Sequence, residues 1–143
     1  NPLYLLVALE ELRGFGSFEA LNERIDQLPS GDDPVTALFI QVIERLEREF
    51  EPVVVRDVLT LLACTRRGLS QIELLELIEG QSDLAASTSD LFPVLRQIRS
   101  YLQYRGELLD YSHRNFYKAT RTKYFDEDDS PPTQNQTQAT VEA

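Results

Sequence analysis

Apolar residues recur every three or four positions through the first third of the chain, a spacing typical of amphipathic α-helices. The clearest stretch is PVTALFIQVIERLEREF, residues 34–50, where large apolar side chains form one stripe and Glu and Arg occupy the other. Asp33 and Pro34 suit the cap and first position of this helix. Pro2 and Ser17 suit the starts of two earlier helices. The first third therefore predicts a small helical bundle.

A second group of helices is predicted after residue 52. VVVRDVLTLLACT keeps the helical period despite its β-branched start, and Gly68 is expected to end that helix. Ser70 and Glu73 form an S-x-x-E capping box at the start of the next helix. A third helix is expected to open at Asp90, after a polar loop. This order indicates a helix-turn-helix unit.

The stretch YLQYRGELLDYS, residues 101–112, changes to alternating apolar and polar positions. Such alternation around an Arg105-Gly106 turn predicts a β-hairpin. Ser112 can then cap a closing helix, HRNFYKATRTKYF. Three helices followed by a two-stranded hairpin describe a winged-helix domain.

These patterns predict a mainly α chain, with a small helical bundle followed by a winged-helix domain that carries a β-hairpin wing. The helical domain is assigned to residues 1–52 and the winged-helix domain to residues 53–125. The last stretch, residues 126–143, is acidic and polar and lacks apolar periodicity, so a disordered linker is expected there.

Charge is unevenly distributed along the chain. The net charge is −10, which argues against a nucleic-acid binder because attraction to phosphate requires a basic face. Residues 91–125 nevertheless carry seven bases and two acids. This segment keeps open an alternative, a winged-helix DNA-binding domain. The arginines that would contact phosphate or DNA in it are Arg96, Arg99 and Arg105, although a solvated face or pairing with acidic helices explains them as well.

The sequence shows no catalytic residue set. There is no G-x-x-x-x-G-K-[ST] phosphate loop, and one cysteine with one histidine cannot form an ordinary zinc site. We therefore expect neither catalysis nor a metal site in this segment. Cys64 lies in an apolar helical pattern and is expected to be buried. The single cysteine suggests a reducing compartment, and no run of about 18 apolar residues predicts a membrane span.

His113 is the only histidine and lies where the hairpin passes into the closing helix. The first turn of a helix has unsatisfied N–H groups and attracts anions, so an imidazole there can add a hydrogen bond to a phosphate oxygen. The alternative is a histidine that packs or hydrogen-bonds locally. The pattern of residues alone leaves both interpretations open.

Three separated stretches resemble one family in the same order: NPLYLLVALEELRGFGSFEALNERI, VLTLLACTRRGLSQIELLELI and LDYSHRNF. They are similar to the region after the ATPase core of STAND-type NTPases, particularly the NACHT-like branch. There, a short proline motif begins a helical domain and a winged-helix domain follows. The resemblance covers roughly residues 1–125.

The resemblance implies two nucleotide-binding residues. The proline of the opening motif packs against adenine in this family, which corresponds to Pro2. The histidine of the winged-helix domain bonds the β-phosphate of ADP, which corresponds to His113. The chain departs from the usual M-H-D motif, with Tyr111 and Ser112 before the histidine and Arg114 after it.

The resemblance also implies a function. The segment would be a nucleotide-sensing lid and relay that couples the ADP or ATP state to conformational change and oligomerisation in the cytoplasm. The ATPase core would lie upstream and bind ADP or ATP with Mg, whereas the segment alone would bind no cofactor. The expected partners are that core, a downstream sensor or repeat domain and a second copy of the protein, but neither nucleic acid nor a membrane. A protein-interaction module is a further alternative.

Overall fold

The computed structural model describes residues 1–13, 18–81 and 87–125. Most of them are helical, and an antiparallel β-hairpin follows the sixth helix, which confirms the predicted mainly α, winged-helix fold class. The helices are α1 (Pro2–Leu12), α2 (Phe18–Asp26), α3 (Pro34–Glu49), α4 (Pro52–Cys64), α5 (Gln71–Gln81), α6 (Leu91–Ile98) and α7 (Arg114–Tyr124). The strands are β1 (Leu102–Arg105) and β2 (Leu108–Tyr111).

Helix α3 lies at the centre of the molecule and packs against α1, α4 and α7. Its Asp33 cap accepts a hydrogen bond from the backbone N–H of Thr36 at 3.3 Å, and Pro34 begins the helix as predicted. Its large apolar side chains are fully buried on one stripe: Leu38, Phe39, Val42, Ile43 and Leu46. The amphipathic pattern of α3 therefore sets the position of the hydrophobic core.

The winged-helix unit consists of α4, α5, α6 and the hairpin. The capping box is confirmed, because the backbone N–H of Ser70 donates to Glu73 Oε1 and that of Glu73 donates to Ser70 Oγ, both at 3.1 Å. Two orphan N–H groups at the start of α5 are thereby satisfied. This local contact fixes where the second helix of the unit begins.

Gly68 has a different role from the predicted one. Helix α4 already ends at Cys64, whereas Gly68 has φ of +90° and lies against β2. A Cβ atom at this position would overlap the carbonyl oxygen of Leu109. Leu69 then exchanges backbone hydrogen bonds with Leu109, at 3.0 and 2.7 Å. Glycine is needed here for the close approach to the hairpin.

The wing comprises β1, β2 and the turn between them, residues 102–111. Its register pairs Leu102 with Tyr111 and Arg105 with Leu108. The hairpin was predicted correctly, but its turn was placed one residue too early. Arg105 still belongs to β1, and the turn consists of Gly106, with φ of +65°, and Glu107.

The predicted cap of α7 was also one residue too early. The N-cap is His113, which has an extended backbone, and Ser112 lies before it in a bend after β2. The backbone N–H of Ser112 donates to the carbonyl of Tyr101 at 3.1 Å, which continues the hairpin pairing by one more residue. Because that hydrogen bond holds Ser112 against the wing, the helix starts after His113.

An aromatic cluster joins α3, α7 and the hairpin. The Phe39 ring stacks on Phe116 with a centroid distance of 4.9 Å, and the Tyr101 ring meets Phe39 edge-on at 5.3 Å. Tyr111 meets Phe116 edge-on, also at 5.3 Å. Its hydroxyl donates to the carbonyl of Leu59 at 2.8 Å, and burial raises the pKa of this hydroxyl above its ordinary value.

Cys64 is exposed, so its predicted burial was wrong. It is the last residue of α4 and points away from the buried Leu62 side of that helix. The boundary between residues 52 and 53 stays a prediction, and the packing of α3 against α7 crosses it. The predicted Ser17 cap and the linker at 126–143 lie outside the described residues.

Candidate functional site

Pro2 lies at the first position of α1 with an exposed side chain. The Asn1 side-chain oxygen caps this helix and accepts a hydrogen bond from the backbone N–H of Leu3 at 2.9 Å. The missing N–H of proline leaves no unpaired donor at such a position. Pro2 is therefore presented at the N-terminal end of an ordered helix.

Helices α1 and α3 run in the same direction. Near the start of α1, the Tyr4 hydroxyl donates to the carbonyl of Pro29 at 2.8 Å, just before α3 begins. Near the end of α1, the Glu11 carboxylate binds the Arg45 guanidinium in the second half of α3. These two contacts place the N-terminal ends of both helices on the same side of the molecule.

Helix α7 also runs in this direction. The Asn115 amide donates to Thr36 Oγ1 at 3.2 Å near the starts of α7 and α3. The Lys123 ammonium lies 3.5 Å from a carboxylate oxygen of Glu47, near the ends of the same helices. The structure therefore brings Pro2 and His113 to one end of the α1–α3–α7 layer, although they are far apart in sequence.

The backbone of His113 forms hydrogen bonds, whereas its side chain is held by packing. Its carbonyl accepts hydrogen bonds from Phe116 and Tyr117, which start α7. Its ring stacks on Phe39, with centroids 6.4 Å apart and planes 28° apart. Within residues 1–13, 18–81 and 87–125, no side-chain hydrogen bond holds the half-buried imidazole. The ring is thus positioned by packing, and its nitrogen atoms keep their hydrogen-bonding capacity.

A charged pair lies beside this end of the layer. Asp33 Oδ2 accepts a hydrogen bond from the Lys118 ammonium at 2.7 Å. That bond, followed by the hydrogen bond from Thr36, holds the pKa of the Asp33 carboxyl below its ordinary value. The pair connects the start of α3 to the first half of α7.

The three predicted phosphate-contacting arginines are only partly brought together. Arg96 and Arg99, on and just after α6, are exposed and line one groove. Arg105 does not line it, and its guanidinium lies 3.9 Å from the Asp110 carboxylate instead. This α6–wing groove is a cavity of about 210 Å³, walled by Phe92 from α6 and Tyr104 from β1.

Sequence reasoning missed the contact that attaches α1. The Glu11 carboxylate is 2% exposed and binds Arg45 through two hydrogen bonds, of 2.6 and 2.9 Å. Burial lowers the pKa of Arg45, but the hydrogen bonds and charge of Glu11 reverse this and raise it above its ordinary value. Because the two residues are 34 positions apart, no local pattern indicates the pair.

One local signal in the sequence concerns the α6 wall of the groove. Phe92 falls outside the apolar stripe of α6, whose buried members include Leu91, Val94 and Leu95. An exposed aromatic residue off the buried face of a helix indicates a contact surface only when other exposed apolar side chains lie beside it. The Tyr104 wall gives no comparable signal, because alternate residues of a hairpin face outward in any case.

Across residues 1–13, 18–81 and 87–125, every helix is too short or too polar to cross a bilayer. No group of three or more His, Cys, Asp or Glu side chains in that part of the chain could hold a metal ion.

Comparison with known proteins identifies the domain. The family described as NWD1-like, winged helix-turn-helix domain matches residues 22–130. The chain is also 24% identical over 127 residues to a TPR repeat-containing protein of Dictyostelium discoideum, covering 87% of this chain but 7% of that protein. No solved structure matches. The chain therefore belongs to the NWD1-like winged helix-turn-helix family, which confirms its resemblance to the winged-helix domain of a STAND-type NTPase.

Proposed function

We propose that this regulatory module is a nucleotide-sensing lid and relay. In this proposal, Pro2 packs against the adenine and His113 bonds the β-phosphate of ADP, while an ATPase core in the same protein binds the nucleotide and Mg. The observation that supports it most directly is the placement of Pro2 and His113 at the same end of three helices that run in one direction.

The local chemistry at His113 suits a phosphate. The N-cap position places the residue beside the Arg114 and Asn115 N–H groups, which have no acceptor within the helix, whereas those of Phe116 and Tyr117 donate to the His113 carbonyl. The positive end of the helix dipole favours an anion there. Stacking on Phe39 sets the direction of the ring without using its nitrogen atoms. One imidazole–phosphate hydrogen bond would contribute about 1.5–3 kcal/mol.

The stacking of His113 on Phe39 also connects the proposed sensor to the hydrophobic core. Phe39 contacts His113 on one side and Phe116 and Tyr101 in the core, so a change in the position of the imidazole alters packing next to the hairpin. A contact made with ADP and lost with ATP would then favour one of two conformations. This is how the module would relay the nucleotide state.

The partners follow from the proposal. The upstream ATPase core would face the end that carries Pro2 and His113. The Dictyostelium relative contains TPR repeats, which supports a repeat domain elsewhere in the parent of this module. Release of the ADP contact would expose surfaces for assembly with a second copy of the protein.

The test is ADP retention in the parent protein with its ATPase core, purified as wild type, His113→Ala and His113→Phe. The phenylalanine variant keeps an aromatic ring against Phe39 but has no hydrogen-bond donor. We expect both variants to bind ADP about tenfold to a hundredfold more weakly, as loss of one charge-assisted hydrogen bond requires. Ser112→Ala is the matched control and should retain ADP as wild type does, since only its backbone N–H is used.

The result that contradicts the proposal is equally definite. If His113→Phe retains as much ADP as wild type and shows the same oligomeric state, His113 is a packing residue and not a sensor.

A further inference from the structure

We propose that the α6–wing groove binds an acidic peptide segment that inserts a bulky apolar side chain. This site is separate from the nucleotide contacts proposed above and does not depend on them.

The floor of the groove is apolar. Leu95 of α6, Leu102 of β1 and Leu109 of β2 line it. Its volume of about 210 Å³ lies below the roughly 300–1,000 Å³ that small-molecule sites occupy, so it suits one large side chain better than a cofactor. Leucine or phenylalanine matches this floor in both size and polarity.

The walls of the groove are two exposed aromatic rings. Phe92 is 46% exposed and Tyr104 is 48% exposed. The Gln71 amide donates to the Tyr104 hydroxyl at 3.1 Å, which ties this wall of the wing to the start of α5. Aromatic side chains held in a fixed position are typical of the energetic centre of a protein interface.

The charge of the groove comes from Arg96 and Arg99. Within the described ranges, neither guanidinium forms an ion pair, whereas Arg105 is paired with Asp110. Guanidinium groups bind carboxylates strongly through paired hydrogen bonds. An apolar floor next to two such cations is complementary to a segment that carries acidic residues around an apolar one.

The surroundings favour a peptide over nucleic acid. The adjoining hollow shares Gln71 and Tyr104 with the groove and is also lined by the exposed Ile72 and by Glu107 of the wing turn. Glu76 follows one helical turn after Ile72 on the same face of α5. These carboxylates would repel a phosphate backbone that extended along the surface, whereas a short peptide can place its few acidic residues at Arg96 and Arg99.

The test is fluorescence anisotropy with the 143-residue chain and the labelled hexapeptide EDLFDE. We expect saturable binding, and much weaker binding of EDSSDE, which has the same charge and no apolar anchor. Replacing both groove arginines (Arg96→Glu with Arg99→Glu) should weaken the binding of EDLFDE by about tenfold or more. Tyr104→Ala should weaken it as well, through loss of one wall.

The matched control is the pair Arg66→Glu and Arg67→Glu, which makes the same charge change at two exposed positions outside the groove. Thermal melting of each variant shows that it is folded. The proposal is overturned if EDLFDE does not bind, or if the two arginine pairs weaken it equally. Tighter, groove-dependent binding of a single-stranded DNA oligonucleotide would also overturn it and would assign the groove to nucleic acid.

Discussion

Helices α1 and α3 each contain seven residues from the set Leu, Ile, Val, Phe and Tyr but use them in opposite ways. In α3 these residues lie on one stripe, and the stripe is buried. In α1 they occur around most of the helix, so Val7 is buried while Leu5, Leu6 and Leu9 are exposed, Leu9 by 62%. Apolar content therefore does not indicate how much a helix contributes to the core; the arrangement around the helix axis does.

The attachment of the two helices to the rest of the molecule differs as well. Helix α3 is held by an aromatic cluster shared with α7 and the hairpin. Helix α1 is held through a narrow buried strip and the Glu11–Arg45 ion pair. We infer that stability is concentrated around α3, and that α1 can be loosened without loss of the winged-helix core.

The largest expected effect is on the α3 side. Phe39→Ala should lower the free energy of unfolding by about 3–5 kcal/mol, because it leaves a cavity between Phe116 and Tyr101. Leu9→Ala on α1 is the matched control and should change it by less than about 0.5 kcal/mol. Urea denaturation followed by circular dichroism measures both. If Phe39→Ala and Leu9→Ala lower the free energy of unfolding by similar amounts, the stability is not concentrated around α3.

The next largest effect is expected at the Glu11–Arg45 ion pair, which joins α1 to α3. Arg45→Ala leaves the Glu11 carboxylate buried without its cation and should lower the free energy of unfolding by about 2 kcal/mol. Arg48→Ala, at an exposed position of the same helix, should have little effect. Replacing both Glu11 and Arg45 by leucine should restore most of the loss. If the double variant is less stable than Arg45→Ala, the ion pair is not the source of the effect.

The smallest effect concerns the Asp33–Lys118 pair, which is exposed to solvent. Because the folded-state pKa of Asp33 is below its unfolded value, the pair stabilises the fold above about pH 4, and this contribution is lost as the pH falls through the folded-state pKa. We expect Asp33→Asn to be slightly less stable than wild type at neutral pH and equal to it in strong acid. Urea denaturation at both pH values checks this, with Asp32→Asn as the control. If Asp33→Asn is still less stable than wild type in strong acid, the Asp33–Lys118 pair is not the source of the difference.

The features predicted correctly from sequence depend on nearby residues. The α3 stripe, the Ser70–Glu73 capping box and the hairpin are each specified within a few positions of the chain. Local periodicity and capping chemistry are sufficient to predict such elements. The fold class could therefore be predicted from the sequence.

The features that were missed depend on contacts between distant residues. Ser112 does not cap α7 because its backbone bonds Tyr101 across the hairpin. The role of Gly68 requires the backbone of Leu109, and the ion pair of Glu11 requires Arg45. The groove also forms only where α5, α6 and the wing meet. Without the fold, nothing in the sequence places these partners together.

The bridge between Leu69 and Leu109 has a mechanical consequence. Two backbone hydrogen bonds at one residue pair, together with the close contact at Gly68, clamp the wing to the segment that leads into α5. Bending the wing away would require breaking both bonds at once and would pull on the capped start of α5. The wing and α5 therefore move together as one rigid unit, and a force applied at the wing tip is transmitted to that helix.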